Sequence, residues 1–475
     1  MDPVTSSHVP KGRRRSRRLV IAAGALLLFA LGAGAPAWGA GAKGPHSIIF
    51  DPAAEASWTL EYHGPGDSPD GAMDVAMAAN GVTYIAGGIG NTTGDVDTSL
   101  LKLVDGVPAW PAPKTYDNPD PGFDGAMKMA LGPGNTIYTA GMCTGTNGLV
   151  DILVLKWSAN GSVRWARRYD GPVHGHDQVT AVGVDAAGNV TVSGASLSAT
   201  TVDWVVVSWS ASGARRWTSR YAAGSSQRIV PIDLMVAGDG SVYVTGVTSN
   251  VSSEQALTVR YSAKGKALWK KPYAGPEGLG ALTRRAAASP GGGVYVCGSA
   301  DSAATGPDGL VMSYTPQGVR HVFALDTGPG GASEQDLNDL AVTSTGQVVA
   351  VGSSTSAGNQ DCHAVSYSTD GTIAGKVTWP GAWSDELVAV ATDAFGGFYV
   401  TGAYHTAVDK TAVLTQRGSV LNGGGAWSSL WAPAFVSVNN SPEAIAVRGS
   451  TAIVVGRCMN GMAEGEDQLV LGYVY

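Results

Sequence analysis

The chain has 475 residues, a net charge of −7, only 15% charged residues and 66 glycines. It lacks the basic excess that binds a phosphate backbone, which excludes nucleic acid as a partner, and its four cysteines lie far apart without a C-x-x-C pair, which excludes zinc-ribbon or thioredoxin-like chemistry. Abundant Val, Thr, Tyr and Trp with little Lys and Glu favour strands over helices.

Residues 1–42 read as an export signal. "GRRRSRRLVIAAGALLLFALGAGAPAWGAGAK" runs from clustered arginines through an apolar stretch, Leu19 to Ala33, to small residues with A-x-A-like cleavage sites. Either the general secretory route or, from "SRRLVI", a twin-arginine route is open. The apolar stretch barely spans ~30 Å of hydrocarbon, so the membrane is a partner only through an uncleaved signal. The expected location is secreted or cell-envelope.

From residue 45 onward the chain repeats. The glycine that closes "YIAGG" recurs as Gly87, Gly141, Gly194, Gly246, Gly298, Gly352, Gly402 and Gly456, at intervals of 50 to 54 residues. A period of that length, holding several short strands, indicates a propeller. Each copy reads as four strands: an apolar-rich one such as "VTAVGV", a second such as "VTVSG", a third such as "DWVVVSW", and a fourth carrying an aromatic. Turns of the "DAAGN" and "SANG" type join them as antiparallel hairpins. The fourth-strand aromatics are Trp110, Trp165, Trp217, Trp269, Trp379 and Trp427, with Phe323 standing in once. They are expected to plug the gaps between blades rather than to stack sugars, since a repeated position must suit every blade interface.

The last copy ends at its third strand, "DQLVLGYVY", while a spare fourth strand, "ASWTLEYHG" with Trp58, precedes the first copy. The N-terminal segment is therefore expected to complete the last blade and close the ring, which removes exposed edges. The predicted fold is all-β: a single eight-bladed propeller of four-stranded antiparallel blades over residues 45–475, a monomer.

The unit "DAAGNVTVSG…DWVVVSWSASGARRW..RY" resembles the bacterial β-propeller-repeat family of the SBBP type. That resemblance covers roughly residues 55–475 and implies an exported propeller; it brings no catalytic residues with it. The "G-x-x-x-W" tail also resembles pyrroloquinoline-quinone enzymes, but their vicinal cysteine pair is missing, and no cofactor is expected.

No G-x-S-x-G elbow, H-E-x-x-H, Walker or EF-hand loop is present. Asp95, Asp97, Asp117, Asp120 and Asp124 offer oxygens that suit calcium, but turn aspartates bonding their own backbone are the commoner case. "HGHD" places His174 and His176 on one side only if extended, and would need a third ligand such as Asp177; a surface loop is the preferred reading. No metal site is assigned.

Thirteen residues before the marker glycine stand Asp74, Lys128, Ala181, Asp233, Arg285, Asp339 and Ala389, with Ala444 in the looser last copy. Charges on an apolar strand need partners, and neighbouring copies bring Asp74 beside Lys128 and Arg285 between Asp233 and Asp339. Four residues earlier Asp70, Asp124, Asp177 and Asp385 recur. These two rings are expected to line one mouth of the central channel, as ion pairs between blades or as a ligand site. The function expected is a non-catalytic exported propeller that binds a protein or glycan partner through its loop face or channel mouth, the connections between second and third strands being read as long and variable. The alternative is an extracytoplasmic hydrolase or lyase drawing acid and base from the axial carboxylates, and a third is an envelope assembly factor.

Overall fold

The computed structural model describes residues 49–50, 57–66, 68–222, 224, 228–249, 253–328, 334–356, 358–381, 383–407, 410–419, 426–428, 440–459 and 466–474. The export signal of residues 1–42 lies outside the described residues. Eight antiparallel sheets form a β-propeller. Each innermost strand, for example Asp177–Val184 in blade 3, leads outward through second and third strands, Val190–Leu197 and Val202–Trp209, to an outermost strand, Arg215–Tyr221. The turns between these strands carry glycines at positive φ, among them Gly188 at 77° and Gly213 at 84°, which an L side chain would resist.

The ring closes as the repeat count demands. Trp58–Tyr62 pairs antiparallel with Glu466–Val474, the third strand of blade 8, with Trp58 opposite Gly472 and Leu60 opposite Val470. Ile49–Phe50 adds a short fifth strand beyond it. Blades 8 and 1 are also joined by Gln468, whose buried amide donates to the Gly88 carbonyl (2.9 Å) and the Ser99 hydroxyl (2.8 Å).

The core lies between blades rather than within one. Among the described residues eight apolar clusters form, and each draws on two adjacent blades. The cluster of Leu60, Val75, Ile85, Ile453 and Val470 joins blade 8 to blade 1. A flat four-stranded sheet exposes both faces, and only a neighbour on each side removes them from water.

The outermost-strand aromatics fill these interfaces by one recurring contact. The glycine of each third-to-fourth-strand turn lies against the aromatic of the preceding blade: Gly106 against Trp58, Gly161 against Trp110, Gly213 against Trp165, Gly265 against Trp217, Gly318 against Trp269 and Gly371 against Phe323. Trp165, Trp217 and Trp269 also donate their indole N–H to a carbonyl in that turn, at 3.0–3.2 Å. The repeated turn and the repeated ring are thus the two halves of one contact.

Three expectations need correction. Trp379 pairs with Cys362, the place that Tyr169 holds opposite Ile152 in blade 2, so it is not a plug; the plug position holds Gly375. In blade 1 the outermost strand breaks into Val107–Pro108 and Lys114–Tyr116, because Pro108, Pro111 and Pro113 cannot donate to a ladder. The connections between second and third strands, which the sequence presents as long variable loops, hold only two to six residues, because the strands run further than their apolar cores. The side chain of Trp427 lies outside the described residues.

Candidate functional site

Every innermost strand bulges by one residue at the same place, opposite the marker glycine. The irregularity falls between Ala72 and Asp74 in blade 1, between Pro231 and Asp233 in blade 4, and between Leu337 and Asp339 in blade 6. A Cβ at Gly87, Gly246 or Gly352 would come within 1.8–2.2 Å of a carbonyl oxygen of that bulged strand, so the glycine is a steric requirement of the bulge. The residue just past the bulge is the axial one.

There the three axial aspartates make one bond in common. Asp74 accepts the Met129 N–H of the next blade (2.8 Å), Asp233 the Ala286 N–H (2.8 Å), and Asp339 the Val390 N–H (2.9 Å). Asp74 and Asp339 also accept their own following N–H groups. Arg285 stands between Asp339 (3.0 Å) and Asp233 (3.6 Å), as the sequence predicts. Its side chain is 44% exposed although it projects from an innermost strand, so solvent reaches the axis there. The flanking carboxylates of Asp339 and Asp233 hold the Arg285 guanidinium protonated, its pKa raised. Burial pushes Asp74 and Asp339 upward, opposed mainly by the charges of Lys128 and Arg285 respectively. Ala181, Ala389 and Ala444 leave the ring incomplete on the remaining blades.

The second group of carboxylates sits where the innermost strands begin, and it is closed off. Asp70, Asp124, Asp177 and Asp385 are each at most 1% exposed. Each accepts a backbone N–H from an adjoining loop or strand. Asp70 accepts N–H groups of Gly64 and Gly90 (2.5 Å each), Asp124 that of Asn118 (2.6 Å), Asp177 that of Gly171 (2.6 Å), and Asp385 that of His405 (2.6 Å). Burial raises Asp70 to about 6 and Asp124 to about 7.

A further row of acids was missed as a row by the sequence reading, which singled out Asp97 alone and as a calcium candidate. Asp97, Asp151, Asp203, Asp308, Asp361 and Asp467 occupy the same place near the start of the third strand in six copies. The signal was an aspartate fixed just ahead of apolar runs such as "ILVL", "WVVV" and "QLVL". Asp151 pairs with Arg168 (3.0 Å), Asp203 with Arg220 (2.9 Å), and Asp467 with His63 (2.5 Å). These partners sit at the end of the outermost strand, so each pair ties a third strand to its neighbour's exit.

The two histidines of "HGHD" do not converge. His174 has φ +52°, which breaks the extended geometry, and its Nδ1 pairs with Asp170 (2.7 Å). His176 instead accepts the Val150 N–H at 3.2 Å. Asp120 is paired with Arg168 and Asp97 with Asn91. All four cysteines are free and buried.

Antiparallel alternation puts the blade-to-blade linkers and the second-to-third-strand loops on one face of the propeller. On the linkers Val173, Leu279 and Trp383 are exposed, at 43%, 45% and 42%. Among the described residues the opposite face carries hairpin turns, on which Phe395, Val319 and Val107 are exposed at 80%, 65% and 60%. Among the described residues no helix is long and apolar enough to cross a membrane.

No protein-family model matches the chain, and no curated protein matches its sequence. Among solved structures it is similar to Sqt1 from Chaetomium thermophilum, with a TM-score of 0.54 at 11% identity, covering 90% of this chain and 100% of that one. The polysaccharide lyase Uly1 aligns with a TM-score of 0.47 at 9% identity over 78% of this chain and 93% of that one. The β-propeller domain of the Trilobed protease from Pyrococcus furiosus aligns with a TM-score of 0.41 at 6% identity, covering 72% and 95%. At such identities the likeness concerns the fold alone.

Proposed function

We propose that this chain is an exported, non-catalytic β-propeller that binds a protein or glycan partner through its linker face, around the mouth of the axis. The observation that carries this reading is the engagement of the axial carboxylates. Asp74, Asp233 and Asp339 each hold the backbone of the next blade. A general acid or base must be free to exchange its proton with substrate, and a carboxylate holding two strands together is poorly placed for that. The same engagement argues against a hydrolase or lyase built on these groups. Asp70, Asp124, Asp177 and Asp385 are turned inward onto backbone N–H groups, so of the nine candidate residues Lys128 and Arg285 are the ones left to meet a ligand at the axis.

Recognition falls to the linkers, whose exposed Val173, Leu279 and Trp383 stand on a rigid frame. Export rests on the order of charges and apolar residues in 1–42, and is supported by the likeness of the repeat to the SBBP-type propellers. The deciding experiment compares the chain with its Val173→Ser, Leu279→Ser, Trp383→Ser variant on a glycan array and in capture from the secretome. Binding lost in the variant at an unchanged melting temperature is the expected result. Binding that survives the three substitutions, or cleavage of a captured glycan, would contradict the reading.

A further inference from the structure

Three carboxylates meet at the junction of blades 2 and 3: Asp151 on a third strand, Asp170 on the linker and Asp177 at the start of the next innermost strand. One oxygen from each lies within 4.8 Å of the others. Asp151 and Asp177 are buried, at 1% and 0% exposed. Each Oδ2 has a protein partner: Arg168 Nε for Asp151 (3.0 Å), His174 Nδ1 for Asp170 (2.7 Å) and the Gly171 N–H for Asp177 (2.6 Å). Asp151 Oδ1 and Asp170 Oδ1 are buried and have no hydrogen-bond partner, while the Asp177 carboxyl is met by the Ser196 hydroxyl besides the Gly171 N–H. An unpaired buried carboxylate oxygen costs on the order of 1–3 kcal/mol or more, and two such groups beside a third buried carboxylate call for a common counter-charge.

The protein does not supply it. Arg168 is shared with Asp120, and Arg220, the next cation, is paired with Asp203. Counting Asp120, four carboxylates face two cations, Arg168 and a protonated His174, so two negative charges stay uncompensated. The closing junction of blades 8 and 1 shows the same place solved internally. There Asp467, His63 and Asp70 stand where Asp151, Asp170 and Asp177 stand here, and His63 pairs with Asp467 at 2.5 Å. An imidazole at the middle position supplies the partner that Asp170 cannot.

We propose that Asp151, Asp170 and Asp177 form a divalent-cation site, and that its ion is calcium. The donors are hard oxygens with no thiolate or free imidazole among them, which disfavours zinc and copper. Calcium takes 6–8 oxygens in flexible geometry, and the open side at Asp170 admits water for the rest. A bound ion would fix the 170–176 linker, which carries Val173, against both blades.

The test uses the full chain, stripped with chelator and titrated with calcium chloride, beside its Asp170→Asn and Asp170→His variants. The expected result is one calcium per chain and a rise of several degrees in melting temperature. Asp170→Asn should bind roughly tenfold or more weakly. Asp170→His should melt without calcium at or above the unliganded parent, because it installs the arrangement of the closing junction. A parent with neither a binding heat nor a melting shift would overturn the proposal. So would an Asp170→Asn protein that binds as the parent does, and that variant decides the matter should Asp170→His fail to fold.

Discussion

A side chain at the axis of a ring has two duties open to it, meeting a ligand or holding its neighbours. At Asp74, Asp233 and Asp339 the second is visible as a hydrogen bond to the next blade. The marker glycines serve the same bulge from the second strand, and their cost of replacement is steric. Gly352→Ala sets a Cβ 1.9 Å from the Asp336 carbonyl oxygen and should destabilise by about 3 kcal/mol. Gly291→Ala meets nothing within 4 Å and should fall within about 0.5 kcal/mol of the parent; urea midpoints separate the two. The loop-clamping carboxylates set the pH response. Asp70 and Asp124 move from an ordinary 3.8 to about 6 and about 7 in the fold. Between those values the folded state holds more protons than the unfolded one, so the contribution of these groups to stability is full below about pH 4 and is lost as pH rises towards 7. Melting temperature should therefore fall from pH 4 to pH 7, with a shallower slope in Asp124→Asn.

At the scale of the strand, the outermost element owes its place to one ring and one glycine. Trp269 lies between Tyr243 of its own blade (5.8 Å) and Tyr314 of the next (5.6 Å), under Gly318. Trp269→Ala should cost about 3 kcal/mol. Its neighbour Leu268, 48% exposed on the other side of the strand, should tolerate alanine within about 0.5 kcal/mol, as calorimetry can check. This contact was legible in the chain because both halves recur at a fixed period. Phe323 was legible too, and it sits between Tyr295 and Tyr367 as the tryptophans sit elsewhere. Trp379 misled because it stands eight residues after its turn glycine, Gly371, where Trp165, Trp217 and Trp269 stand four after theirs, which carries it four positions past the plug. The axial pairings around Arg285 followed from blade order. That Asp124 and Asp177 face inward did not, because it depends on linkers folding back over them. The third-strand aspartates were overlooked as a row because one acid ahead of an apolar run looks like an ordinary strand boundary.

The eight sheets form a circle in which each is half of two cores, so stability and recognition must be divided between inside and rim. Cohesion falls to the axis and recognition of the partner to the linker face. The Asp233→Asn, Asp339→Asn protein separates these assignments when its urea midpoint and its capture of a partner by the folded fraction are measured together. A lowered midpoint with undiminished capture is predicted. An unchanged midpoint with capture abolished would place the ligand on the axis and contradict the account.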